Sequence, residues 1–214
     1  MNGFLRPDPE VVAAYVAVRG RIVELLRTTP ESLAVRVVPH CAAWTVSELA
    51  SHVVGVVDDI LAGRLEGVTT EAWTQAQVER LRGRSLSQLA DHYEESATAF
   101  DAVLPLIPSP VNSQLVMDAV THEHDLRHAL DRAGSRDAAA VDVGLGWLLD
   151  RAAGGQPALA GALVGSGLSA FDLLRSLTGR RSVGQIEALG LDAVAIAALL
   201  AGSPLRPPQH DIPE

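Results

Sequence analysis

The sequence predicts a mainly α-helical fold, on three observations. Apolar residues recur at helical spacing over long stretches. Strong helix-start signals stand before several of those stretches. Nearly half of the 214 residues are apolar (48%), yet only 4% are aromatic. Ala, Val and Leu fill the core, which favours close-packed helices over a β-sandwich.

The elements follow in order. Asp8-Pro9 opens a first helix, with Asp8 as N-cap and Pro9 at the first helical position, running to about Arg27 through Val12, Tyr15, Val16, Ile22, Val23 and Leu26. Residues 32–43 read as an extended connector. Thr45-Val46-Ser47-Glu48 is a capping box, and Trp44 before it can pack on Leu49 as a hydrophobic staple. That second helix is expected to reach Ala62, where Gly63 stops it. Further helices are expected over 70–82, from Ser85 to Leu104, over 113–133 and over 137–153. Pro105, Pro108 and Pro110 mark a firm break. After Gly154-Gly155 the texture changes. Gly161, Gly165 and Gly167 lie in a small-residue segment without helix caps, a short helix starts near Ser169, and 183–200 is helical with a break at Gly190. The expected organisation is a helical bundle over 1–153, a small C-terminal helical segment over 154–203, and a proline-rich mobile tail over 204–214.

Composition excludes several functions. The formal charge of −9 argues against sequence-independent nucleic-acid binding. Apolar runs stop well short of ~18 residues, so no membrane partner is expected. A single cysteine, Cys41, forbids an internal disulfide and fits a reducing cytoplasm. A monomer or homodimer is expected.

Two histidines border or interrupt apolar stripes. His52 sits at the edge of the stripe Val46, Leu49, Val53, Val57 and Ile60. His122 fills the gap in the stripe Leu115, Ala119, Leu126, Ala129 and Ala133. Asp118 lies one turn before His122, within about 40° of it around the helix, so the two can hold one ion. His52, Asp118 and His122 therefore offer three ligands to one divalent metal, with positions left for water or substrate. The set suits zinc best, with nickel, iron or manganese as alternatives. Glu123 and His124 project elsewhere, and His124 with His128 reads as a solvated polar face. Asp125 is either an orienting partner for an imidazole or a surface acid. No His-Asn pattern supports Cys41 as a hydrolase nucleophile. Arg180 and Arg181 either hold an anionic cofactor group or cap carbonyls and pair with acids.

The run Val38-Pro39-His40-Cys41-Ala42-Ala43-Trp44-Thr45-Val46, followed by His52, resembles a signature of the mycothiol-dependent maleylpyruvate isomerase-like family, within the DinB/YfiT-like putative metalloenzymes. Thr121-His122-Glu123-His124-Asp125-Leu126-Arg127 resembles their second signature. Leu174-Arg175-Ser176-Leu177-Thr178-Gly179-Arg180-Arg181-Ser182 resembles a third, near their C-terminus. The likeness covers about residues 10–190, with the elements in family order. It implies an up-and-down four-helix bundle, metal ligation by His52, Asp118 and His122, and a low-molecular-weight thiol such as mycothiol as cofactor, acting on a small electrophile by isomerisation or S-transfer. Asp118 stands where a longer Glu is usual, Ala42 replaces a Pro, and the segment 154–169 is shorter than in the family. A thiol-independent metal-dependent hydrolase and a non-catalytic metal- or ligand-binding protein are the alternatives.

Overall fold

The computed structural model describes residues 3–201 and 203–214. Helix-start signals act largely where the sequence puts them. The Thr45 hydroxyl accepts from the Glu48 N–H, and the Glu48 carboxylate accepts from the Thr45 N–H, so the capping box opens α2 (Val46–Leu61). Thr70 caps α3 (Glu71–Leu81), and a second box, Ser85 with Gln88, opens α4 (Leu86–Glu95). Before these comes α1 (Asp8–Arg27); after them come α5 (Ala97–Val103), α6 (Val111–Ala129) and α7 (Ala139–Gly155). The chain continues through α8 (Pro157–Gly165), α9 (Ala170–Leu177), α10 (Val183–Ala188) and α11 (Ala193–Leu200). Among the described residues the fold is mainly α.

Several expectations change in detail. Asp8 does not cap α1: Pro7 holds the cap position, and the Asp8 carboxylate instead accepts from Asn112 Nδ2 at 2.7 Å, tying the start of α1 to the start of α6. The expected connector contains a small antiparallel hairpin, β1 (Val37–Val38) with β2 (Cys41–Thr45). The helix expected from Ser85 to Leu104 divides at Ser96, whose hydroxyl donates to the Tyr93 carbonyl and competes with the backbone ladder. The glycine-rich stretch after 157 is helical. Pro157 starts α8, Leu159, Ala160 and Leu163 face the core, and Gly161 and Gly165 lie on the exposed side.

Helix α1 packs on α4, α6 and α7, while α2 packs on α3, α4 and α6. The layer between them is filled by Tyr15, Ile22, Leu26, Leu49, Val53, Tyr93, Phe100, Val116 and Val120. On the other side of α6 lie α7 and α9, with Leu148, Phe171 and Leu174 in the same continuous core. Helix α6 is thus covered on more than one face, which places the cluster described below inside the molecule.

Residues 204–214, expected to be mobile, run back over the fold. Gly179 adopts φ +71°, and a Cβ there would stand 2.7 Å from the Arg206 carbonyl oxygen, so only glycine lets the tail pass this close. Asp211 meets the Ser182 hydroxyl, and Gln185 donates to the Ile212 carbonyl at 2.9 Å. The prolines remove backbone donors, but the acidic side chains between them find partners in the fold.

Candidate metal centre

His52 projects from the second turn of α2, and Asp118 and His122 from the middle of α6. One ligand atom from each lies within 4.8 Å of the others. The two imidazoles stand edge to face, with centroids 5.1 Å apart. His122 Nε2 is 3.6 Å from Asp118 Oδ1. That is too long for a hydrogen bond and near the ~3.4 Å edge of a tetrahedron with bonds of ~2.0–2.1 Å. The three residues expected to share a site are brought together.

The outer nitrogens of both rings are tied off. His52 Nδ1 lies 2.7 Å from Gln77 Oε1. The Gln77 amide orientation follows from its other end, where Nε2 donates to Asp59 Oδ2 at 2.8 Å. A carboxylate only accepts, so Gln77 presents its oxygen to His52, and His52 Nδ1 carries the proton. Its Nε2 lone pair is left for an ion. Asp59 is buried and fixed by Arg64 and Arg80. His122 Nδ1 likewise faces Asp125 Oδ2 at 3.1 Å, leaving Nε2 toward the cluster. This is the arrangement by which carboxylates and amides orient metal-binding imidazoles.

Asp125 is the hub of a buried charge network. Its side chain has no exposed surface, and it accepts from Arg175 Nη1 at 2.7 Å and Arg180 Nη2 at 2.8 Å. Burial alone would raise its pKa; Arg180 and Arg175 outweigh that and hold the carboxyl well below the usual range. For His52, burial pushes the pKa down to about 4 against the opposing pull of Asp118, so the ring is neutral. For His122, burial acts in the same direction, but hydrogen bonding to Asp125 and Cys41 and the charge of Asp118 overcome it and raise the pKa to about 10.

Other expected residues fall into clear places. Cys41 Sγ is 3.6 Å from both Asp125 Oδ2 and Arg180 Nη2, packed beside the network. Arg180 is spent on Asp125 and on the Thr178 carbonyl; Arg181 lies 3.0 Å from Glu214 and 3.5 Å from Asp172. Both arginines therefore pair with acids of this chain, one of the two roles the sequence leaves open. Glu123 is buried against Arg21 and Arg127. His124 and His128 do not form a solvated face. His124 is buried with its ring 4.7 Å from Phe171, and His128 lies 4.9 Å from His40, because α9 and the tail cover that side of α6.

Sequence reading gave Gln77 and Asp59 no role. It also gave Arg175 and Glu214 no role. The one local signal for Gln77 is Gly55, one turn beyond His52. A Cβ on Gly55 would lie 2.5 Å from Gln77 Cβ, so the glycine lets α3 approach α2. Gly55→Ala is expected to cost about 1–3 kcal/mol by overpacking. It should also lower metal affinity about 10–100-fold by moving Gln77 from His52. Thermal melts and metal titration of the variant check both; unchanged affinity would remove Gln77 from the site.

No family model, curated protein or solved structure matches the chain. No helix among the described residues is long and apolar enough to cross a membrane.

Proposed function

We propose that the chain is a metal-dependent enzyme that uses a low-molecular-weight thiol, such as mycothiol, for isomerisation or S-transfer on a small electrophile. In this reading α1, α2, α4 with α5, and α6 make a DinB/YfiT-like up-and-down bundle. The observation that carries it is the convergence of His52, Asp118 and His122, with the outer nitrogens held by Gln77 and Asp125. The thiol comes from the resemblance of the three sequence elements.

His52, Asp118 and His122 would hold the ion, with zinc the first candidate. A divalent metal with an open position favours the thiolate form of a bound thiol, the form that attacks electrophilic carbon. Gln77 and Asp125 fix the rings. Trp44 lies over His52 at 5.2 Å between centroids and shields it, while Asp118, the most exposed of the three ligands, marks the open side. Arg180, beside Cys41 and Asp125, keeps positive charge close to the cluster.

Calorimetric titration of zinc-loaded protein with mycothiol tests the reading. The intact chain is expected to bind the thiol at least about tenfold more tightly than His122→Ala, as loss of a metal contact requires. Equal affinities would overturn it. Ester hydrolysis without added thiol would replace it with a metal-dependent hydrolase.

A further inference from the structure

A second group of ligand-bearing side chains converges away from the His52 cluster. His40 comes from the turn between β1 and β2, His128 from the last turns of α6, and Glu214 from the returning tail. Their ligand atoms lie within 4.8 Å of one another. The His40 and His128 rings are 4.9 Å apart, tilted by 43°. The His40 side chain is fully buried, yet neither of its nitrogens makes a hydrogen bond, and His128 Nδ1 is also buried without one. His40 Nε2 lies 3.0 Å from Glu214 Oε1, close but off the direction an N–H···O bond needs.

Leaving a buried polar atom unpartnered costs about 1–3 kcal/mol, and one ion takes one nitrogen from each ring, so it could partner two of these three nitrogens. We propose that His40, His128 and Glu214 form a second divalent-metal site, whose ion clamps the hairpin, α6 and the tail together. Two imidazoles and a carboxylate form a ligand set that zinc accepts with a position left open. The carboxylate is held ready: Arg175 pairs with its Oε1, and Arg181 stands 3.0 Å from its Oε2. Each carboxylate oxygen has more than one acceptor direction, so Oε1 can serve Arg175 and still face an ion. The two guanidinium charges oppose a dication. Asp125, on the other side of Arg175, offsets part of that charge. The second ion is therefore expected to bind more weakly than the first. This site does not depend on the thiol chemistry proposed above, and exchange of His40 or His128 reports on it alone.

The test is zinc-buffered dialysis of the full chain at micromolar free zinc, with elemental analysis. Two equivalents are expected in the intact protein, one in His122→Ala, one in His128→Gln, and none in the double variant. His40→Gln, combined with His122→Ala, is a second route to the same loss if His128→Gln fails to fold, as judged by circular dichroism. In His122→Ala, zinc should slow amide exchange over 204–214 by about tenfold or more, the effect of binding well above its dissociation constant. The proposal is overturned if His122→Ala keeps no zinc, if its zinc survives exchange of His40 or His128, or if the tail exchanges equally fast with and without the metal.

Discussion

Asp125→Ala is expected to cost about 3–5 kcal/mol of stability, the usual penalty for breaking a buried ion pair from one side. Arg175 is wholly buried and Arg180 nearly so, and both guanidiniums close on this one carboxylate. Without Asp125, Arg175 keeps Glu214, whereas Arg180 keeps only the Thr178 carbonyl and a thiol. For a chain of this size the loss corresponds to a melting temperature roughly 10 °C lower. The charge explanation makes a further demand: Asp125→Leu combined with Arg180→Met should recover part of the loss, because the stranded cation goes with its partner. The pH dependence has a definite sign. Asp125 is held below the ordinary 3.8, so its contribution is complete above that pH and is lost as pH falls toward the lower folded value. A loss below about 1 kcal/mol in denaturant melts at pH 7 would place this pair among exposed ones in its energetics and refute the argument.

The same network shows what sequence periodicity can and cannot reveal. The capping box at Thr45–Glu48 was legible because all its partners lie within one turn. His52, Asp118 and His122 were legible as a group because each sits at a fixed angle to an apolar stripe of its own helix, and α2 packs on α6. Partners of those ligands were not legible in that way. Gln77 reaches His52 across 25 positions, and Arg175 reaches Asp125 across 50, so no local spacing connects them. Helix α6 misleads for another reason. Its polar residues are buried on several faces but satisfied by long-range pairs, such as Glu123 with Arg21, so polarity there no longer marks solvent. His124 and His128 read as solvated because they lie on the side of α6 away from His122, but α9 and the tail cover that side. Nothing in the proline-rich 204–214 stretch announces that Glu214 lands on Arg175.

The other large effect concerns metal affinity and its pH dependence. Exchanging either His52 or His122 for Ala is expected to abolish tight binding at the first site, since each removes one of the three proposed protein ligands. The two histidines start from different states. His52, with its pKa pushed down to about 4, is neutral at pH 7 and ready to bind. His122, raised to about 10, carries a proton in the metal-free protein because Asp125 and Asp118 stabilise the imidazolium. A metal ligand must be deprotonated, so ion and proton compete for His122 Nε2. Between pH about 4 and about 10, affinity should therefore rise about tenfold per pH unit, with about one proton released for each ion bound. Below about 4 the slope should steepen as His52 also takes a proton. Calorimetry with zinc at pH 6, 7 and 8, in buffers of different ionisation enthalpy, measures the count directly. The His40→Gln variant is the right protein for it, because that removes a ligand of the second cluster. A count near zero across this range would mean that His122 is already neutral. Asp125 would then serve to orient its ring without holding its proton.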